Sequence, residues 1–206
     1  MPELPEVETV RRGLELQVGR FPIGETIVCR SRAVAAPKGD PDGFTAALRG
    51  CELASWRRRG KYLVAKLERD GAPAGELGVH LRMTGQFQWL QREERPPCPH
   101  TRVRFLSEKH ELRFVDVRSF GELWFVPLGT PTEQVITGLT RLGPEPFSDA
   151  FNANYLRQRL KGSSRPIKNA LLDQALVAGV GNIYADESLF MAGIRPHTPA
   201  GSVSAA

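Results

Sequence analysis

Cysteine is scarce in this chain: Cys29, Cys51 and Cys98 are three in 206 residues, widely spaced and with no CxxC pair. An odd, scattered set argues against a disulfide framework and for a reducing compartment. No stretch approaches the roughly 18 apolar residues of a membrane helix, and the first residues, Met1-Pro2-Glu3-Leu4-Pro5-Glu6, are acidic and proline-bearing where a secretion signal would be basic and then apolar. The expectation is a cytoplasmic protein with no membrane partner. Internal repeats and low-complexity tracts are absent, and no coiled-coil stripe argues for more than a monomer. His80, Cys98, His100 and His110 match no usual zinc spacing. What the chain does have is 41% apolar residues with 10 Phe and 3 Trp, enough for one large or two small domains. Lys and Arg number 28 against 23 Asp and Glu, a net charge of +5 that favours polyanionic partners without naming one.

Pro5 at a helix start, acids in the first turn and Arg11-Arg12 later predict an N-terminal helix, with Val7, Val10 and Leu14 on one face. From about Thr26 to Phe125 the apolar period becomes two, as in Leu63, Ala65, Leu67 against Tyr62, Val64, and in Val103, Phe105 against Arg102, Arg104. That pattern predicts antiparallel strands in a sandwich or barrel. Residues 127–146, crowded with Pro and Gly, read as a linker, giving an N-terminal domain at 1–126 and a second at 147–206. The second is helical in period. Ser148-Asp149 is the expected cap of a helix through Leu160, and Pro166 starts another. Gly179-Val180-Gly181-Asn182 turns into a third helix that closes at Gly193. Two helices joined by such a turn make a generic helix-turn-helix unit. Ser202 or Ser204 looks like a further cap.

The most reactive candidate is at residue 2. Loss of Met1 leaves Pro2 with a free secondary amine, neutral on the order of 10% of the time at pH 7, a few hundred-fold ahead of an ordinary lysine. Such an amine attacking an aldehydic or acetal carbon gives a cationic iminium, and Glu3 is a neighbouring proton donor or acceptor. The plain alternative is a tolerated second residue. Arg157, Arg159, Lys161, Arg165 and Lys168 form an acid-free block ahead of the Gly179–Asn182 turn, whose backbone N–H groups are candidates to hold a phosphate with Asn182 beside them. A solvated face and a simple helix connection explain the same residues. Arg57, Arg58, Arg59 and Lys61 read as a solvent-facing hairpin turn. Met83 and Phe120 are either core residues or, if exposed, wedges for a base stack, with Arg118 reaching a base edge.

Taken together, Met1 to Val10, His80-Leu81-Arg82-Met83-Thr84-Gly85, Asp116-Val117-Arg118-Ser119-Phe120-Gly121, Leu142-Gly143-Pro144-Glu145-Pro146 and Gly179 to Phe190 resemble bacterial formamidopyrimidine-DNA glycosylases, end to end and in order. The resemblance implies an α+β protein of two domains. The first is an antiparallel β-sandwich with an N-terminal helix; the second is helical with a helix-two-turn-helix motif. It implies base-excision repair of oxidised purines in damaged double-stranded DNA. Pro2 would attack C1′, expel the base and, as an iminium, promote β- then δ-elimination, while Glu3 moves protons and Lys61 contacts a phosphate. His80 falls in one of the matching DNA-binding motifs. Lys168 and Asn182 would grip the backbone, Met83, Arg118 and Phe120 would fill the void left by an extruded nucleotide, and Glu187 would lie near the base pocket. Ser119 stands where many relatives carry a basic residue. The family's structural zinc, held in a four-cysteine hairpin beyond the position of Ala206, has no counterpart in these residues, so no cofactor is expected here. Activity weaker than that of a full-length relative, or none, is expected from that lack.

Overall fold

The computed structural model describes residues 1–203. The N-terminal helix α1 (Leu4–Gly13) starts with Pro5 in its first turn, and the Glu3 N–H donates to the Glu6 carboxylate at 2.9 Å. Its inner face is the expected one: Val7 and Leu14 are buried and Val10 packs against them. A wider turn, Leu14–Val18, prolongs it. On its outer side Glu8 accepts from Arg11, Arg12 and, across the gap to the sheet, Arg58; led by the Arg11 hydrogen bond, these hold its carboxyl at about 2.

The strands follow as β1 (Phe21–Pro22), β2 (Glu25–Val28), β3 (Val34–Ala36), β4 (Glu52–Arg59), β5 (Tyr62–Arg69), β6 (Ala72–His80), β7 (Gly85–Gln91), β8 (Thr101–Leu106), β9 (His110–Asp116) and β10 (Glu122–Pro127). Among the described residues they form a six-stranded sheet, ordered β1-β4-β5-β6-β10-β3, and a four-stranded sheet, ordered β2-β8-β9-β7. The pairs are antiparallel apart from β10 with β3. The inward-facing residues of the two sheets, Leu53, Leu63, Ala65, Leu67, Leu77, Val103, Phe105, Leu112 and Phe114 among them, meet in one core. A helix absent from the sequence reading, α2 (Pro41–Leu48), adds Phe44 and Leu48 to it, capped by Asp40, which accepts from Gly43 N–H at 2.7 Å.

The breaker-rich stretch after β10 is more ordered than its composition suggests. It forms α3 (Thr132–Val135) and a tight turn over Thr137–Arg141, and lays Ile136 and Leu139 on Trp124 and Val126. That cover buries an apolar patch on the outer face of the six-stranded sheet around β10.

The helical part holds α4 (Ala153–Leu160), α5 (Ile167–Leu172) and α6 (Asn182–Met191), around Leu160, Ile167, Ala170, Leu176, Leu189 and Ala200. Asn152, not Ser148-Asp149, caps α4: its Oδ1 accepts from Tyr155 N–H at 3.0 Å, whereas Ser148 Oγ turns back to Glu145 O at 2.8 Å. Ser202 lies inside a short final turn, its hydroxyl donating to Pro199 O, and Ser204 lies outside the described residues. Among the described residues no helix is long and apolar enough to cross a membrane.

Candidate functional site

Residue 3 joins the two ends of the chain. The Glu3 side chain is 3% exposed. Its carboxylate accepts from the backbone N–H of Gly181 at 2.8 Å, Ile183 at 2.9 Å and Tyr184 at 3.2 Å, the N-terminal turn of α6. Alongside, the Leu4 N–H donates to Gly179 O at 3.0 Å, and the Tyr184 hydroxyl donates to Glu6 at 3.0 Å, which raises that phenol's pKa. The helix end therefore already carries an anion, and that anion belongs to the protein. This corrects the expectation that the Gly179–Asn182 turn offers these amides to a phosphate. Its glycines serve close approach instead: a Cβ on Gly181 would lie 2.4 Å from Glu3 Cδ, and one on Gly179, where φ is +89°, 2.8 Å from Leu4. Gln174, which carries no sequence signal, pins the turn by accepting from Gly179 N–H at 2.9 Å and donating to Val180 O at 2.8 Å.

Pro2, half-buried, thus stands at the seam between sandwich and helices. Met1 beside it lines a cleft of about 1180 Å³ walled by the sandwich and the segment after β10, with Arg82, Met83, Phe120, Tyr62 and Trp124 among its lining. Met83 and Phe120 are 39% and 42% exposed, which removes the core-packing alternative for both. The guanidinium of Arg118, itself exposed, lies over the Phe120 ring, 5.0 Å from its centroid. Each of these two side chains follows a residue in the left-handed region, Arg82 at φ 53° before Met83 and Ser119 at φ 55° before Phe120. Such conformations cost roughly 1–2 kcal/mol apiece for residues with a Cβ.

Two basic groups adjoining the lining residues Tyr62 and Arg82 are buried. Lys61 is 6% exposed, and burial pulls its ammonium pKa down while the nearby Glu3 and Glu6 charges oppose the change. His80 packs edge-on to Tyr62, with ring centroids 4.6 Å apart. Its Nδ1 accepts from Arg82 N–H at 3.0 Å, which leaves Nε2 as the protonated nitrogen of the neutral ring. Burial first, then the charges of Arg82 and Lys61, lower its pKa to about 3.

The hairpin arginines are not a solvated patch. Arg58 and Arg59 both bind Glu145, which also accepts from Gly60 N–H at 2.7 Å, and Arg59 donates to Leu142 O and Gly143 O. Burial pushes the Glu145 carboxyl up, but those donors outweigh it and leave its pKa lowered. Arg57 pairs with Glu76. These charges fasten the segment before α4 to the sandwich, an arrangement hidden from sequence because the partner acid lies over 80 residues away. Lys168 on α5 pairs with Asp186 on α6 at 2.8 Å. Asn182, the first residue of α6, is exposed, as is Glu187 one turn further on. Cys29, Cys51 and Cys98 are separate free thiols, and the described residues hold no group of three or more His, Cys, Asp or Glu able to bind a metal.

The family model for the formamidopyrimidine-DNA glycosylase N-terminal domain matches residues 1–123, and that for the H2TH domain of the same glycosylases matches residues 142–206. Among curated proteins, the formamidopyrimidine-DNA glycosylase of Parasynechococcus marenigrum (strain WH8102) is 62% identical over 100% of this chain and 73% of its own length. That of Prochlorococcus marinus (strain MIT 9313) is 59% identical over 98% and 73%. Among solved structures, a complex of the Lactococcus lactis Fpg with abasic-site DNA superposes with a TM-score of 0.86 at 33% identity, covering 98% of this chain and 71% of that one. MutM bound to DNA containing carbocyclic 8-oxo-G superposes with a TM-score of 0.87 at 34% identity, covering 98% and 73%.

Proposed function

Because the chain belongs to the formamidopyrimidine-DNA glycosylase family, a family of base-excision repair enzymes, we propose that it removes oxidised purines from duplex DNA and then cleaves the abasic strand, with Pro2 as nucleophile once Met1 is gone. The observation that carries this reading is the seam. Glu3, caught on the first turn of α6, holds residue 2 between the two domains, and the adjoining Met1 lines the cleft that Met83 and Phe120 also line. Relatives whose solved structures hold abasic or 8-oxo-G DNA superpose over 98% of this chain, sandwich and helical part together.

The Pro2 nitrogen pair forms a bond to C1′ as the glycosidic bond breaks, and the base leaves with the electron pair and takes up a proton. Opening of the sugar gives the iminium and a free 4′ hydroxyl. Loss of a C2′ proton then expels the 3′ phosphate, and a second elimination expels the 5′ phosphate. Lys61, buried near the Glu3 and Glu6 carboxylates that oppose the lowering of its pKa, is the candidate to pair with a phosphate. His80 at neutral pH is an uncharged donor through Nε2 and stays so across the physiological range. Lys168 can reach a phosphate by exchanging Asp186 for it, and Asn182 adds an amide at the same helix end. Met83 and Phe120 would fill the gap of the extruded nucleotide while Arg118 meets the orphaned base, offsetting an unstacking cost of a few kcal/mol. Glu187 faces the base pocket from α6 in this reading.

The test is incision of a duplex with a single 8-oxoguanine by protein whose Met1 is shown to be removed by intact mass. The expected product is a one-nucleotide gap with phosphate at both ends. An intact strand, with the duplex still bound, would make the chain a DNA-binding protein without excision chemistry.

A further inference from the structure

Asp116, the last residue of β9, has a side chain 1% exposed that no step above uses. Its Oδ1 accepts from the Thr84 hydroxyl and from Arg118 N–H at 3.2 Å, and its Oδ2 accepts from Gly121 N–H at 2.7 Å. Thr84 Oγ1 in turn accepts from Arg118 N–H at 3.0 Å. Thr84 follows Met83, while Arg118 and Gly121 bracket Phe120. One carboxylate therefore ties together the two loops that carry the wedge residues. The loops also share a floor: a Cβ on Gly85 would come within 2.9 Å of Phe114 Cζ, and one on Gly121 within 2.6 Å of the same atom. Both loops are thus pressed on the edge of one buried ring, which no side chain larger than glycine's hydrogen would allow. The left-handed residues Arg82 and Ser119 precede the two wedges; Ser119 lies between the Arg118 and Gly121 ties, and Arg82 is held by its ion pair with Glu122.

We propose that Asp116 is a positioning residue that locks the Met83 and Phe120 loops into one rigid unit, so that both side chains enter a duplex together. The proposal rests on the wedge reading of those two residues. A bare pair of loops would insert independently, each having to find its strained conformation in the presence of DNA. Joined through Asp116, they present one preformed tip, and only the duplex has to change. Asp116 touches no reacting atom, so its loss acts on insertion, before the chemistry at Pro2.

The experiment combines two readouts on the full chain. Fluorescence of 2-aminopurine placed beside a tetrahydrofuran abasic analogue reports unstacking by the wedges without any bond cleavage, and single-turnover excision of 8-oxoguanine reports the outcome. Asp116→Asn and Thr84→Val are expected to diminish the fluorescence change and to slow excision about tenfold, with strand cleavage at a preformed abasic site, where no base need be extruded, slowed less. Thr84→Ser, which keeps the hydroxyl, is expected to restore both signals. Met83→Ala and Phe120→Ala are expected to be non-additive in the parent chain and additive in the Thr84→Val background. Thr84→Val with the parental fluorescence change and parental excision, while Met83→Ala or Phe120→Ala lowers both, overturns the coupling. Equal slowing of both substrates by Asp116→Asn with a large fall in Tm, against a parental Thr84→Val, shows packing alone and also overturns it. Parental behaviour of Met83→Ala and Phe120→Ala themselves refutes instead the wedge reading beneath it.

Discussion

The sandwich and the helical part form the two walls of the seam, and each is held by a buried carboxylate that accepts hydrogen bonds from the backbone. On the sandwich side Asp116 binds the Thr84, Arg118 and Gly121 groups of its own domain. On the helical side Glu3 reaches across the seam to Gly181, Ile183 and Tyr184, at sequence separations of 178 to 181 residues. The difference is one of reach. Asp116 shapes a tip within a domain whose core is independent of it, whereas Glu3 fixes how two domains meet and where residue 2 lies between them. In the proposed function, recognition of the duplex would ride on the local clip and the chemistry on the long-range one.

The largest effect is expected from breaking the long-range clip. Glu3→Ala leaves the α6 amides without their acceptor and opens a void at the seam. It should lower the unfolding free energy by about 2 kcal/mol or more and abolish base excision, checked by denaturant unfolding and single-turnover assays. If Glu3→Ala excises at the parental rate, the seam does not position the nucleophile. Next comes Gly121→Ala on the other wall. The new methyl would lie 2.6 Å from Phe114 Cζ, so a loss of about 1–3 kcal/mol is expected from overpacking, with the defect in excision confined to extrusion and not to abasic-site cleavage.

Acid should also separate the walls. The buried His80 of the sandwich titrates at about 3 when folded and near 6.5 when unfolded. The unfolded chain therefore binds the extra proton first, so its contribution is lost progressively as pH falls from about 6.5 towards 3. Glu8 and Glu111 add to the decline below 4.5, since both are held at about 2. At Glu111 burial raises the pKa, but Arg104 and Arg113 more than reverse it. Glu111 lies in the four-stranded sheet and Glu8 ties α1 to β4, so all three groups belong to the sandwich. Hydrogen exchange is expected to show the sandwich losing protection before the helices; the opposite order would contradict this assignment. The smallest effect on folding is expected from Met83→Ala and Phe120→Ala, whose exposure predicts a change within about 0.5 kcal/mol although both impair excision. A large fall in Tm for either would return it to the core.

The sandwich was legible in the period-two strands from Thr26 to Phe125, and the helices in their apolar period, prolines and glycines, because those signals are local; the serine caps read at Ser148 and Ser202 were not found. Pro41 after Asp40 was a sound start signal for α2 that the strand pattern around it obscured. The motifs around Met83 and Phe120 were legible as candidates, but only the structure shows that the side chains stand out from the surface. What sequence could not disclose were charges neutralised at a distance. Arg58 and Arg59 read as a free basic turn because Glu145 is far along the chain. The Gly179–Asn182 turn read as an empty anion site because nothing nearby hints that residue 3 fills it. Asp116 stood in a quoted motif, yet its role depends on Thr84, which is 32 residues away.

The most direct measurement is borohydride reduction of the Met1-free chain on duplex DNA carrying one abasic site, followed by peptide mapping. A covalent protein–DNA adduct at Pro2 is expected, because reduction fixes the iminium as a stable amine. An adduct at a lysine, or none from a folded chain that binds the duplex, would contradict the assignment of residue 2 as the nucleophile.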